Sequence, residues 1–75
     1  MKSYTLKFKN GVQIRDHRLK LGLTQQDFWI RFGVNQSAGS RYEGGRTIPK
    51  PVLILVNIAF ESPKLSAELV AMLRA

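Results

Sequence analysis

The feature that most constrains this chain is a pair of short helical segments joined by a tight turn at Gly33. Residues 24–32 (TQQDFWIRF) are predicted to form the first of these helices, with Thr24 as its N-cap. The second is predicted to begin at Asn35 or Gln36 and to end near a pair of glycines. The sequence before and after this pair is expected to support it.

Three further helices are predicted around the pair. The first covers Gly11 to Gly22, with Asn10 as its cap. The next covers Val52 to Phe60, tolerates Pro51 in its first turn and is apolar nearly all round. The last covers Leu65 to Leu73. The fold class is therefore all-α, a compact bundle of about five short helices.

The first ten residues differ from the rest. Apolar and polar side chains alternate from Tyr4 to Phe8, which is the period of a half-buried strand, yet the chain offers no second strand as a partner. The segment is expected to pair with the same strand of another subunit or to pack as an extended arm, and a disordered tail is the third alternative. We expect an arm or strand over residues 1–10 and one domain over residues 11–75.

Charge is distributed unevenly along the 75 residues. Residues 1–50 contain ten of the twelve Lys and Arg and three of the five Asp and Glu, and they carry the whole net charge of +7. Residues 51–75 are neutral and largely apolar. A basic part is typical of a surface that faces a polyanion such as nucleic acid, and an apolar part is typical of a surface that faces protein.

The sequence gives little support for metal binding, catalysis, secretion or insertion in a membrane. The chain has no cysteine and one histidine, so no metal or cofactor is predicted, and His17 is expected in or beside the core. No nucleophile with a base and an orienting partner is recognisable, so no enzymatic activity is expected. No secretory signal is recognisable, and the longest apolar run, Val52 to Val56, is too short to cross a membrane. A cytoplasmic protein is therefore expected.

The second helix of the central pair has one polar face. At 100° per residue, four of its side chains fall within an arc of about 140°. They are Gln36, Ser37, Ser40 and Arg41. An amide, two hydroxyls and a guanidinium are the groups that read base edges, although a polar solvent face would look the same.

Several spaced positions in one register give the sequence a family resemblance. LGLTQQDF, Gly33-Val34, SRYEGGR and Pro49 together resemble the helix-turn-helix proteins of the phage repressor and Cro family, also called the xenobiotic-response-element family. The resemblance covers residues 14–58. It implies a lambda-repressor-like bundle, encoded by a bacterium or phage and acting at the nucleoid, whose third helix enters the major groove of double-stranded DNA.

The resemblance also implies roles for individual residues. Gln36, Ser37 and Arg41 occupy the positions that commonly contact bases, and Gln25 resembles the glutamine that binds a phosphate and supports the base-reading side chains. Further phosphate-binding candidates are Thr24, Asn35, Ser40, Arg46 and Lys50.

Arg18 and Glu43 carry a second part of the resemblance. Many family members pair an arginine in the first helix with a glutamate that ends the third, and these two residues have that spacing. We expect a structural ion pair that ties the first helix to the third. Arg18 is therefore not counted among the DNA contacts.

Two residues depart from the family pattern. Trp29 stands where the family usually has alanine, and Gly39 stands where it usually has a branched aliphatic residue. Our hypothesis is a volume-conserving exchange in which the indole fills the space above Gly39. The alternative is a kink of the third helix at Ala38-Gly39.

These observations favour a sequence-specific transcriptional regulator, a homodimeric repressor that occupies a two-fold operator. The alternative is an antitoxin that binds a toxin and represses its own operon. The fourth and fifth helices are the first choice for the dimer interface, and the strand Tyr4 to Phe8 is the second. The interface residues expected on the two helices are Leu53, Val56, Phe60 and Leu69.

Overall fold

A computed structural model describes residues 6–75, and these residues form five α-helices without a strand. The helices are α1 (Gly11–Leu21), α2 (Gln25–Trp29), α3 (Gln36–Glu43), α4 (Lys50–Phe60) and α5 (Pro63–Arg74). One turn of 3-10 helix, Ile30–Phe32, extends α2. The all-α bundle expected from the sequence is confirmed.

Local chemistry sets where the helices begin. Four of them start after a residue whose side chain accepts a hydrogen bond from a backbone N–H of the first turn. These capping residues are Asn10, Thr24, Asn35 and Ser62. The helices α4 and α5 begin two residues earlier than predicted, because Pro51 and Pro63 lie within their first turns. Proline is tolerated there because the N–H that it lacks would have no partner inside the helix.

The core lies between the helix-turn-helix pair and α4. Phe28 of α2 is completely buried and stacks on Phe60 of α4, with ring centroids 5.8 Å apart. Phe32 contacts both rings. The remaining buried apolar side chains come from the arm, from α1, α2, α4 and α5, and from the loops on either side of α3: Phe8, Ile14, Trp29, Val34, Ile48, Val56 and Leu69.

Part of the expected dimer interface is wrong. Val56 and Leu69 have no exposed surface, so they belong to the core of the single chain and cannot contact a second copy. Leu53 and Phe60 are half-buried and pack against the same core. The apolar character of α4 is thus largely used within the chain.

A different apolar surface remains exposed where α4 and α5 lie side by side. Leu55 and Leu73 keep 46% and 58% of their surface exposed, and they line a shallow groove with Pro51 and Ile54. Lys50 stands at its edge. We call this surface the α4–α5 groove.

The arm is described from Leu6 onward, and residues 6–9 form neither helix nor strand, with a bend at Lys7. Phe8 is buried, and its backbone N–H and C=O are both bonded to the side chain of Asn57, at 2.8 and 3.0 Å. Asn57 itself is completely buried in α4. The strand expected over Tyr4 to Phe8 is not formed at residues 6–8, and its first two residues lie outside the described part of the chain.

Candidate nucleic-acid interface

The turn between α2 and α3 fixes how the two helices meet. Gly33 has a φ of 72°, a left-handed conformation that glycine adopts without steric cost. Its N–H bonds to Ile30 O at 3.1 Å, and the N–H of Val34 bonds to Trp29 O at 3.1 Å. Val34 is buried, so the chain enters α3 from a fixed position.

One side of α3 faces solvent and the other faces α2. The four polar side chains predicted to share an arc are all exposed, and we call them the outer face: Gln36, Ser37, Ser40 and Arg41. Gly39 is buried on the opposite side, with Ala38 and Tyr42 half-buried beside it. The outer face is therefore free to contact a ligand along the length of α3.

Gln25 of α2 makes contact with the outer face. Gln36 Nε2 donates to Gln25 Oε1 over 3.4 Å. This bond uses one of the two N–H groups of the Gln36 amide and leaves the other N–H and the carbonyl oxygen free. One donor and one acceptor are the pair that a glutamine needs for a bidentate contact with adenine. The bond thus orients Gln36 without consuming its recognition groups.

Beneath this contact lies a buried carboxylate with three partner side chains. Arg18 Nε and Nη2 donate to the two oxygens of Glu43, each over 2.8 Å, which is the ion pair that the resemblance implied. Trp29 Nε1 donates to Glu43 Oε2 over 2.8 Å, and Gln25 Nε2 donates to Oε1 over 3.2 Å. We call these four residues the polar network. Arg18 also donates through Nη1 to Leu23 O, which ties it to the loop before α2.

The polar network shifts the pKa of both ionised members. Burial acts to raise the pKa of Glu43, but the hydrogen bonds from Arg18, Trp29 and Gln25, with the charge of Arg18, outweigh it and lower the pKa below its ordinary value. The hydrogen bond to Glu43 raises the pKa of Arg18 despite its burial. Both residues are therefore charged at neutral pH.

Trp29 and Gly39 fit each other as the exchange hypothesis requires. The indole is completely buried. A Cβ placed on Gly39 would collide with Cγ and Cδ1 of the indole and lie 2.8 Å from its Nε1. The helix α3 is continuous from Gln36 to Glu43, and the alternative of a kink at Ala38-Gly39 stays a prediction.

The candidate phosphate ligands lie around the outer face with donors still available. Thr24 Oγ1 and Asn35 Oδ1 each accept the capping hydrogen bond of their helix. The hydroxyl hydrogen of Thr24 and the amide hydrogens of Asn35 remain to donate. Ser40 is exposed on α3, and Arg46 and Lys50 are exposed in and after the loop that leads to α4.

His17 lies away from these residues, under the arm. Its ring packs against Phe8 and Phe60 at centroid distances of 5.1 and 4.5 Å, and its Nε2 is buried without a hydrogen-bond partner. Burial lowers the pKa of His17, and the charges of Lys7 and Lys20 lower it further. Within residues 6–75, no group of three His, Asp or Glu is arranged to hold a metal ion.

Two structural roles were missed at the level of sequence. Trp29 was recognised as a space-filling residue, but its N–H bond to Glu43 was not anticipated. Asn57 was not singled out, although it is the only polar residue in VLILVNIAF, which is a signal for a buried side chain with a specific partner.

Comparison with protein families gives a match that covers more than half of the chain. A family model described as the RsaL-like HTH domain matches residues 15–59. No curated protein and no solved structure shows significant similarity to the chain. The match supports a helix-turn-helix DNA-binding protein, whereas it does not support the narrower resemblance to the phage repressor and Cro family. No helix among residues 6–75 is long and apolar enough to cross a membrane.

Proposed function

The chain belongs to the RsaL-like helix-turn-helix domain family, and on this premise we propose that it is a sequence-specific transcriptional regulator that reads double-stranded DNA. In this proposal α3 lies in the major groove and presents its outer face to the base edges. Gln36, Ser37 and Arg41 read bases. Regulation follows from occupation of the site, which excludes competing proteins from the same stretch of DNA.

The observation that carries the proposal is the exposed outer face of α3 above a fully bonded polar network. Exposed side chains on a free helix are ordinarily mobile, and ordering them on binding costs entropy. Here Gln36 is held by Gln25, and Gln25 is held by the buried Glu43 carboxylate. A support of this kind favours recognition of one base pattern over general attraction to polyanions.

The phosphate contacts in this proposal come from both ends of the helix-turn-helix. Gln25, Thr24 and Asn35 lie at the N-termini of α2 and α3, where backbone N–H groups favour anions. Ser40, Arg46 and Lys50 complete the set. The net charge of +7 supplies the sequence-independent part of the affinity.

The proposal includes a homodimer. Its interface is the α4–α5 groove instead of the buried residues Val56 and Leu69. The α4–α5 groove offers Leu55 and Leu73 as exposed apolar contacts, and apart from Lys50 at its edge its residues belong to the part of the sequence that has no net charge. A second copy packed on the same groove would give a two-fold symmetric dimer. Such a dimer would read two half-sites about one helical turn apart and act as a repressor.

The experiment that tests this function is selection of bound sites from a random pool of DNA duplexes. The salt concentration is set at about 150 mM, so that purely electrostatic binding is suppressed. The native protein is run beside Gln36→Ala and Arg41→Ala. The matched control is Arg74→Ala, which removes an exposed arginine from α5 instead of α3.

We expect the native protein to enrich a two-fold symmetric sequence. Each α3 variant should relax the preference at one position per half-site, and Arg74→Ala should retain the full consensus. Enrichment of no sequence by the native protein would contradict the proposal. The antitoxin alternative would then be the better explanation of an exposed apolar groove.

A further inference from the structure

Trp29 stands at the junction of α2, α3 and α1. Its ring is completely buried, and its face covers the bare backbone of Gly39. Space filling explains the ring but not the direction of its single polar group. Nε1 points at Glu43 Oε2 over 2.8 Å, a distance typical of a strong hydrogen bond to a charged acceptor.

The Glu43 carboxylate receives donors on both oxygens. Oε2 accepts from Arg18 and from Trp29, and Oε1 accepts from Arg18 and from Gln25. The bidentate contact of Arg18, which is itself bonded to Leu23 O, aligns the carboxylate with the guanidinium. The indole N–H is also fixed in place, because the packed ring is held against Gly39. Trp29 is therefore a second fixed donor, and it resists movement of Oε2 out of this alignment.

From the carboxylate, hydrogen bonds lead outward to the surface. Glu43 Oε1 accepts from Gln25 Nε2 over 3.2 Å. This bond orients the Gln25 amide so that its oxygen, Oε1, faces α3. Gln25 Oε1 then accepts from Gln36 Nε2 over 3.4 Å. The positions of the exposed Gln36 donor and acceptor thus depend on the Glu43 carboxylate two hydrogen bonds away and on the Trp29 N–H three hydrogen bonds away.

We infer that Trp29 is a positioning residue for base recognition, and that its N–H orients Gln36 through Glu43 and Gln25. The inference rests on the proposed function, in which Gln36 reads a base. It separates two roles of one side chain: the ring fills the crossing of α2 and α3, and the N–H sets specificity.

The test removes the N–H and keeps the ring. Trp29 is the only tryptophan among 75 residues, a length within reach of chemical synthesis. The chain is synthesised once with tryptophan and once with benzothienylalanine, in which sulfur replaces the indole N–H with little change in shape. Affinities for the selected duplex and for duplexes changed at each position are compared, together with the salt dependence and the melting temperature.

At the position read by Gln36, we expect the ratio of affinities between preferred and changed base to fall at least about threefold. The ratio at the position read by Arg41 should not change, because no hydrogen bond links Arg41 to the polar network in the described residues. The salt dependence should also be unchanged. Loss of stability alone would lower all affinities together, so it would not produce this pattern.

The Trp29→Phe variant, which can be expressed, provides a second route to the same measurement. It also lacks the N–H but keeps an aromatic ring above Gly39, and the same selective loss is expected. An unchanged ratio at the Gln36 position in both proteins would overturn the inference and leave Trp29 a packing residue. Absence of any base preference in the tryptophan-containing chain would instead overturn the proposed function, and this inference with it.

Discussion

The helix-turn-helix half of the molecule and the α4–α5 half both contain buried polar groups, but the two halves use them differently. In the first, Arg18, Gln25, Trp29 and Glu43 share four hydrogen bonds beneath an exposed polar helix face. In the second, Asn57 alone interrupts an apolar helix, and it bonds the backbone of the arm.

The difference follows from the structural task of each half: one packs two helices together, and the other orients exposed side chains. Apolar packing is not directional, and it holds α5 on α4 together with a hydrogen bond from Ser66 Oγ to Ile58 O. Hydrogen bonds to a buried carboxylate have a direction, and they can fix the orientation of a side chain that emerges at the surface. The lesson is that a small domain places its directional interactions under the surface that needs a defined geometry. Substitutions in the two halves should therefore have different consequences.

Removal of the Glu43 carboxylate should have the largest effect. Glu43→Ala leaves the Arg18 guanidinium buried without its partner and strands the donors of Trp29 and Gln25. Loss of one partner of a buried ion pair typically costs about 3–5 kcal/mol of unfolding free energy. Urea denaturation measures it, with Asp16→Ala as the control for loss of an exposed acid. A cost below about 1 kcal/mol would show that the polar network is not the main support of this half.

A side chain added at Gly39 should have the next largest effect. Gly39→Val forces branched carbons into the space of the Trp29 indole, and overpacking of this kind costs about 1–3 kcal/mol or more. Thermal melting by circular dichroism measures the loss. The double variant Trp29→Ala/Gly39→Ile should melt above Gly39→Val, because volume is restored. A Gly39→Val protein as stable as the native one would refute the exchange.

Substitution of Asn57 tests the other half. Asn57→Leu keeps the side-chain volume but leaves the N–H and C=O of Phe8 without partners, at a cost of about 1–3 kcal/mol. Hydrogen exchange should accelerate at the Phe8 amide first, and the DNA preference should be retained. Gln26→Leu, which removes an exposed amide, serves as the control. Loss of base preference in Asn57→Leu would show that the two halves are not separable.

The pH dependence at His17 should be the smallest effect. Burial, Lys7 and Lys20 lower its pKa below the ordinary 6.5, so the unfolded chain takes up the proton first as the pH falls. The stability contributed by neutral His17 is complete above pH 6.5 and is lost progressively below it. The urea concentration at the unfolding midpoint should therefore be lower at about pH 5.5 than at about pH 7.5 in the native protein. The difference between the two pH values should be smaller in His17→Phe.

The contribution of ionised Glu43 to stability changes over a different pH range. Because its pKa is lowered from 4.5, its stabilising charge is lost only below that value, so it does not interfere between pH 5.5 and 7.5. Equal decreases in the native protein and in His17→Phe would contradict the assignment to His17.

The sequence predicted those parts of the fold that depend on neighbouring residues. Asn10 and Thr24 were recognised as caps because a cap acts on the turn that follows it. The start of α5 was placed too late because Pro63 was taken as a boundary, and that of α4 was placed two residues late although Pro51 was expected in its first turn.

The parts that depend on distant contacts were predicted less well. Whether Val56 and Leu69 face the core or a second chain depends on how α4 lies on α5, which periodicity alone does not specify. The bond from Trp29 to Glu43 likewise joins residues whose approach requires the α2–α3 crossing. The ion pair of Arg18 with Glu43 was expected only because the resemblance supplied their spacing.

The central claim, that α3 reads bases through Gln36, is tested most directly by a double-mutant cycle between Gln36 and DNA. The Kd of the native protein and of Gln36→Ala is measured by fluorescence anisotropy on the selected duplex and on duplexes changed at one base pair. We expect the two changes to be non-additive at one position per half-site, with a coupling of about 1–3 kcal/mol. Additive losses at every position would contradict the claim.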